Sequence, residues 1–156
     1  MKIVPVKTKK DLMKFIKLPF QLYKNDPNWV PPLIMDQKNF FNPKKNPYYE
    51  HSEVQLFLAY KNDKLVGRIS AHTNTQHNKF HNDKVGFFGF FEAINDQEVA
   101  NELINTASEW LKAKGMDTLR GPMNFSTNDE VGLLVKGFDT PPFVMMTHNP
   151  PYYLDL

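Results

Sequence analysis

Val85-Gly86-Phe87-Phe88-Gly89-Phe90-Phe91-Glu92-Ala93 runs into Ile94-Asn95-Asp96-Gln97-Glu98-Val99 and on to Leu103, Ile104, Ala107, Trp110 and Leu111. The first stretch is aromatic without alternation, as a strand buried on both faces must be. Its glycines imply a bulge or a close backbone approach. The second stretch repeats apolar residues at helical spacing. Asn95 and Glu98 read as a capping box, and Gly115 stands where a helix places its C′ glycine. Thr118 to Arg120 is then a short further strand. A buried strand, a long amphipathic helix and another strand form a β-α-β unit, which makes the chain an α/β protein with a mixed sheet.

Upstream of this unit the pattern has period two. Val54, Leu56, Leu58 and Tyr60 share one face of a strand, with Gln55, Phe57 and Ala59 on the other. Lys61-Asn62-Asp63-Lys64 is a hairpin turn, and Leu65 to His72 is the return strand. Ile3, Val4 and Val6 make a short opening strand, which Pro5 assigns to an edge. Thr8 with Asp11 caps a helix carrying Leu12, Phe15 and Ile16, and Pro19 is expected to bend or restart it. Asn25-Asp26-Pro27-Asn28 ends that helix as a turn. Trp29-Val30-Pro31-Pro32 leads into a second short helix, about Leu33 to Phe41. Trp29 reads as a lid over the core. The polar segment Thr73 to Asp83 is expected to be a loop.

The 156 residues are 41% apolar and 23% charged, the proportions of one globular domain with a hydrophobic core. A net charge of only +2 gives no electrostatic case for nucleic acid or an anionic membrane. The chain has no cysteine, which excludes disulfides, thiol nucleophiles and thiolate metal sites. No apolar run reaches spanning length, and the start of the chain has no signal-peptide pattern, so the expectation is a cytoplasmic protein.

Two stretches are rich in groups that do chemistry. Gly121-Pro122-Met123-Asn124-Phe125-Ser126-Thr127-Asn128-Asp129-Glu130 follows a strand, where open α/β sheets place ligands. Ser126 with Asp129 is expected to cap a short helix through Val131 and Leu134. Capping does not account for Asn124, Asn128 and Glu130, which are the first site candidates. Thr147-His148-Asn149-Pro150-Pro151-Tyr152-Tyr153 is the second stretch, since Tyr and His serve as general acids, although they pack equally well around a rigid turn. His72, His77 and His81 match no compact ligand spacing, so no metal site is expected.

In order, Asp26-Pro27-Asn28-Trp29-Val30-Pro31-Pro32-Leu33, Val66-Gly67-Arg68-Ile69 and Gly86 to Glu92 are joined by Gly121 to Ser126, Glu130 to Val135 and Asn149 to Tyr153. Together they resemble bacterial proteins related to the Gcn5 N-acetyltransferases, the acyl-CoA N-acyltransferase-like group. The resemblance implies a GNAT-like mixed central sheet flanked by helices, in the order β-α-α-β-β-β-α-β, over a single domain at 1–156. That fold ordinarily closes with a further helix and two strands. The chain reaches Leu156 about where they would begin, so the expectation is a C-terminally incomplete domain associated with a downstream acyltransferase-like half.

The implied activity is transfer of an acyl group from acetyl-CoA or another acyl-CoA to an amine. Glu130 is then the candidate base and Tyr152 or Tyr153 the candidate acid. Asn124, Ser126, Asn128, His148 and Asn149 are candidates for binding a small-molecule substrate. Members of the wider superfamily hold the CoA pyrophosphate on a glycine-rich loop between the fourth strand and the next helix. The corresponding stretch here, Glu92 to Glu98, has no glycine and three carboxylates, which repel a pyrophosphate. The alternative is therefore a non-catalytic ligand-binding or supporting domain.

Overall fold

A computed structural model describes all 156 residues. Its strands are β1 (Lys2–Pro5), β2 (Val54–Lys61), β3 (Lys64–Thr73), β4 (Val85–Ala93) and β5 (Thr118–Arg120). Its helices are α1 (Lys9–Leu22), α2 (Ile34–Phe40), α3 (Thr75–His81) and α4 (Gln97–Ala113), with 3-10 turns at Pro47–Glu50 and Pro151–Leu154. The sheet has the order β1-β2-β3-β4-β5; the first four strands are antiparallel and β5 is parallel to β4. The β2–β3 hairpin turns through Asn62 and Asp63, both at positive φ, as a tight two-residue turn demands.

Alternation along β2 decides what covers each face. Phe57 and Ala59 pack beneath α4 with Ile69, Val99, Leu103 and Leu111. Leu56 and Leu58 pack on the opposite face with Phe15 and Ile16 of α1, and with Phe41, Phe90 and Phe125. The mixed α/β sheet flanked by helices is thus the one expected from the sequence.

Four local expectations are corrected. α1 runs unbroken through Pro19, because the Phe15 carbonyl that the proline leaves without a donor receives Nη1 of Arg68 at 2.7 Å. The segment after β3 contains α3, capped by Asn74 at the His77 N–H and ended by Asn82 in the left-handed region. Asp96 rather than Asn95 caps α4, accepting from the Glu98 N–H. Ser126 and Asp129 bond to one another at 2.7 Å within a turn, and no helix follows them.

Candidate functional site

The site is made by a bulge in β4. Arg68 pairs with Glu92 and Ser70 with Gly89, so β4 carries one residue more than β3 between those pairs, and Phe90 takes φ 47°. The bulge turns the Phe90 N–H away from β3, and the side chain of Asn124 accepts it at 2.7 Å. β5 pairs with β4 only as far as Arg120 opposite Phe87. Beyond that point the two strands part, and a cavity of about 170 Å³ opens between β4, the segment after β5, the Trp29–Pro32 stretch and the chain around His148.

Beneath this cavity lies a buried charge cluster. Arg68 and Glu92 face each other at 3.6 Å across β3 and β4. Glu92 also accepts the hydroxyls of Tyr23 and Tyr153, each at 2.8 Å. Arg68 lies over the rings of Phe15 and Phe90, at 4.8 and 5.8 Å from their centroids. Burial pushes the Glu92 carboxyl up and the Arg68 guanidinium down, each against the pull of its partner.

Nearer solvent, Glu130 accepts the Asn124 side-chain amide at 3.0 Å. The residue is exposed, yet the surrounding protein raises its carboxyl above the ordinary range; the Asn124 amide and Arg68 oppose that rise. His148 bonds through Nε2 to Oδ2 of Asp26 at 2.7 Å. Burial works to raise the Asp26 carboxyl, but the bonds from His148 and from the Asn28 N–H prevail and hold it below its usual value. Trp29 stacks on Tyr23 with centroids 5.2 Å apart and forms part of the cavity wall.

Of the residues expected from the sequence, Asn124, Glu130, His148, Asn149 and Tyr153 all border the cavity. Asn149 is committed to the backbone, accepting from the Leu134 N–H at 2.7 Å and donating to the Leu134 carbonyl at 3.2 Å. Tyr153 donates to Glu92 and accepts the Ala93 N–H at 2.8 Å. Tyr152 donates to the Ala93 carbonyl at 2.8 Å, and burial raises it to about 12. Both phenols therefore have structural tasks in this geometry: Tyr152 holds the Ala93 carbonyl, and Tyr153 bridges Glu92 and the Ala93 N–H. Ser126 and Asn128 form the turn below Asn124 and do not border the cavity. Arg68, Glu92 and Asp26 join the site without having been site candidates. The signal for the first two is a charge inside an apolar strand.

The loop from Ala93 to Gln97 is tied down at Ala93, Asp96 and the Gln97 side chain. Asp96 caps α4, and Lys61 holds Asp96 and Glu98 at 2.7 and 2.6 Å. Tyr152 and Tyr153 occupy the carbonyl and N–H of Ala93, and Gln97 donates to the carbonyl of Leu156 at 3.0 Å. A pyrophosphate approaching this loop meets the carboxylates of Asp96 and Glu98, and the N–H groups of Ala93 and Glu98 are already taken by Tyr153 and Asp96.

Elsewhere, His72 is fully buried and burial pushes it down to about 3. His77 and His81 lie with ring centroids 4.4 Å apart, and Asp83 is 3.5 Å from His77. No group of three His, Asp or Glu side chains could hold a metal ion, and no helix is long and apolar enough to cross a membrane.

No family model matches the chain. It is 46% identical over 151 residues to a protein of Caulobacter vibrioides named bacterial ceramide synthase, covering 96% of this chain and 39% of that protein. It is 41% identical over 145 residues to protein YghO of Escherichia coli, covering 93% of this chain and 37% of that one. The chain thus spans well under half the length of the curated relatives it matches. Among solved structures, it superposes on an aminoglycoside acetyltransferase from an uncultured soil metagenomic sample, solved with sisomicin. The TM-score is 0.52 at 17% identity, over 79% of this chain and 77% of that one. It superposes equally well on a predicted acetyltransferase of Clostridium acetobutylicum solved with acetyl-CoA, with a TM-score of 0.52 at 11% identity over 76% and 79% of the two chains. With its bulged fourth strand, parting fifth strand and crossover helix, the chain has the mixed α/β fold of the Gcn5-related acetyltransferases.

Proposed function

We propose that this chain is the amine-binding part of an N-acyltransferase, and that its cavity receives a long-chain amine. The observation that carries this reading is the charge balance of the cavity wall. Its charged side chains are Arg68, Glu92 and Glu130; the first two neutralise one another, so Glu130 is the surplus carboxylate. An ammonium group at the Asn124–Glu130 edge is matched by that charge, and Glu130 is its counter-ion and first proton acceptor. Around the opening, Val30, Met145 and Met146 expose 59%, 55% and 59% of their surface, an apolar rim suited to a hydrocarbon tail. The name of the Caulobacter relative supports the same chemistry, since a ceramide is an amide of a long-chain amino alcohol.

The acidic loop, with Asp96 and Glu98 held by Lys61 and Ala93 bonded to the two tyrosines, favours a division of labour. The acyl donor is presented by a further acyltransferase-like region, and this chain supports catalysis by holding the acceptor. Acetyl-CoA alone is expected to show no micromolar binding in calorimetric titration; a micromolar Kd would overturn that division.

Octylamine is the direct probe. It is expected to bind, and octanol, which has the same tail without the charge, is expected not to. Glu130→Gln keeps the shape and removes the charge. A hydrogen bond to a charged group contributes about 1.5–3 kcal/mol, so octylamine affinity should fall roughly 10- to 100-fold. Equal binding of octanol and octylamine, or of variant and wild type, would defeat the reading.

A further inference from the structure

Asp26 and His148 are 122 positions apart in sequence and meet beside the cavity. Asp26 stands in the turn after α1. Its Oδ1 accepts the Asn28 N–H at 2.9 Å, which leaves Oδ2 for the imidazole. The His148 side chain is only 6% exposed, and its ring packs against Tyr23 at 5.7 Å. Asp26 offers only an acceptor, so Nε2 donates to it, and in the neutral ring Nδ1 is then the acceptor. Nδ1 is buried and has no hydrogen-bond partner. A buried polar atom left unpaired costs stability, and the ring that carries it forms part of the wall of a ligand-sized opening.

We infer that His148, held by Asp26, is a second proton acceptor for the amine bound in this cavity. The inference rests on the amine reading above and adds a step to it. Making an amide from an ammonium removes two N–H protons. Glu130 takes the first, which frees the nitrogen lone pair. As that nitrogen attacks the carbonyl of an acyl thioester, the C–N bond forms, the C–S bond breaks and the electron pair leaves on the thiolate. The remaining surplus N–H proton passes to Nδ1 of His148. The imidazolium so formed faces Asp26, as the imidazolium of a carboxylate–histidine pair does in acyl-transfer enzymes. Arg68 is the cation on this wall, and it is already paired with Glu92, which also accepts Tyr23 and Tyr153. Asp26 is a positioning residue; it sets the tautomer and does not touch the amine.

The test is ring-nitrogen NMR of the whole chain, free and saturated with octylamine. The chain has five histidines, so the His148 signals are assigned by their loss in His148→Gln, or by through-bond correlation in the wild type if that variant does not fold. The free protein should show Nε2 protonated and Nδ1 bare, and octylamine should shift Nδ1. Asp26→Asn, whose side-chain amide donates to Nε2, should reverse the tautomer and weaken octylamine about tenfold, leaving the thermal transition cooperative. Octylamine binding with His148 unmoved, or a free protein already protonated at Nδ1, overturns this inference and leaves the amine pocket standing. A wild type that binds no octylamine removes the amine reading and this step together.

Discussion

Replacing Arg68 with Met is expected to lower the free energy of unfolding by about 3–5 kcal/mol, the cost of breaking a buried ion pair on one side. For a chain of this length that is a fall in Tm of roughly 10 °C or more. The methionine keeps the apolar length of the stem and removes three things. Glu92 loses its cation at 3.6 Å, the Phe15 carbonyl loses the donor that replaces the proline's missing N–H, and the rings of Phe15 and Phe90 lose the charge above them. Without Arg68 nothing opposes burial at Glu92 except the two tyrosine hydroxyls, so its carboxyl, already raised, rises further. A carboxyl raised by folding contributes stability that is fully present below its unfolded value, about 4.3, and lost as pH climbs through the folded value. The gap between variant and wild type should therefore be narrower at acid pH than at neutral pH, because terms common to both proteins cancel in the difference. Urea unfolding of both proteins across that range checks it. A second change, Glu92→Gln in the Arg68→Met background, should recover part of the loss, since the uncharged amide no longer needs a cation. If Arg68→Met unfolds like the wild type, the buried cluster is not what ties α1 to the sheet.

How far the sequence foretold this arrangement depends on whether a signal was local. The β4–α4–β5 unit was legible because its information lies in short-range periodicity: the stripe from Val99 to Leu111, the αL glycine at Gly115 and the unbroken aromatic strand. The two faces of β2 were legible for the same reason. α3 was not, since no residue of it is buried; caps hold it, and Asn78 bonds to both the N–H and carbonyl of Val85. Ser126 and Asp129 carry the pattern of a helix cap yet form only a turn, because Phe125 holds the chain elsewhere. It enters the aromatic cluster, stacking on Phe40 and Tyr48 at 4.9 Å each, and its backbone takes φ 81°. The candidate site divides along the same line. Asn124, Glu130 and His148 stand out because they fall in two stretches rich in hydrogen-bonding side chains, but the groups that give them a chemical setting come from distant parts of the chain. Asp26 reads as a helix-ending turn until His148 is placed on it, and Pro19 reads as a break until Arg68 is placed beneath it.

Gly89→Ala is the second change expected to have a large effect, and it tests the bulge itself. A Cβ at this position would stand 1.9 Å from the carbonyl oxygen of Met123, 2.6 Å from its carbon and 3.1 Å from Oδ1 of Asn124. Two of these neighbours are backbone atoms, so no side-chain rotation relieves the clash, and the chain after β5 must move away from β4. That movement breaks the bond from the Met123 N–H to the Phe88 carbonyl, 2.8 Å, and the bond from the Phe90 N–H to Asn124, 2.7 Å. It also draws Asn124 away from the Phe125 cluster and carries Glu130 with it, through the 3.0 Å side-chain bond and the 2.9 Å backbone bond between them. Overpacking costs about 1–3 kcal/mol where side chains can yield, and more where they cannot, so a loss of roughly 3 kcal/mol or more is expected in urea unfolding. Octylamine affinity should fall in the same variant, since the carboxylate that meets the ammonium is displaced. Gly115→Ala is the control, because its added methyl meets nothing within 4 Å and only the left-handed φ of 81° penalises it. That costs about 1–2 kcal/mol and leaves amine binding unchanged. A Gly89→Ala protein as stable as Gly115→Ala, or one that binds octylamine like the wild type, would show that the close approach of Met123 to β4 does not set the position of Glu130.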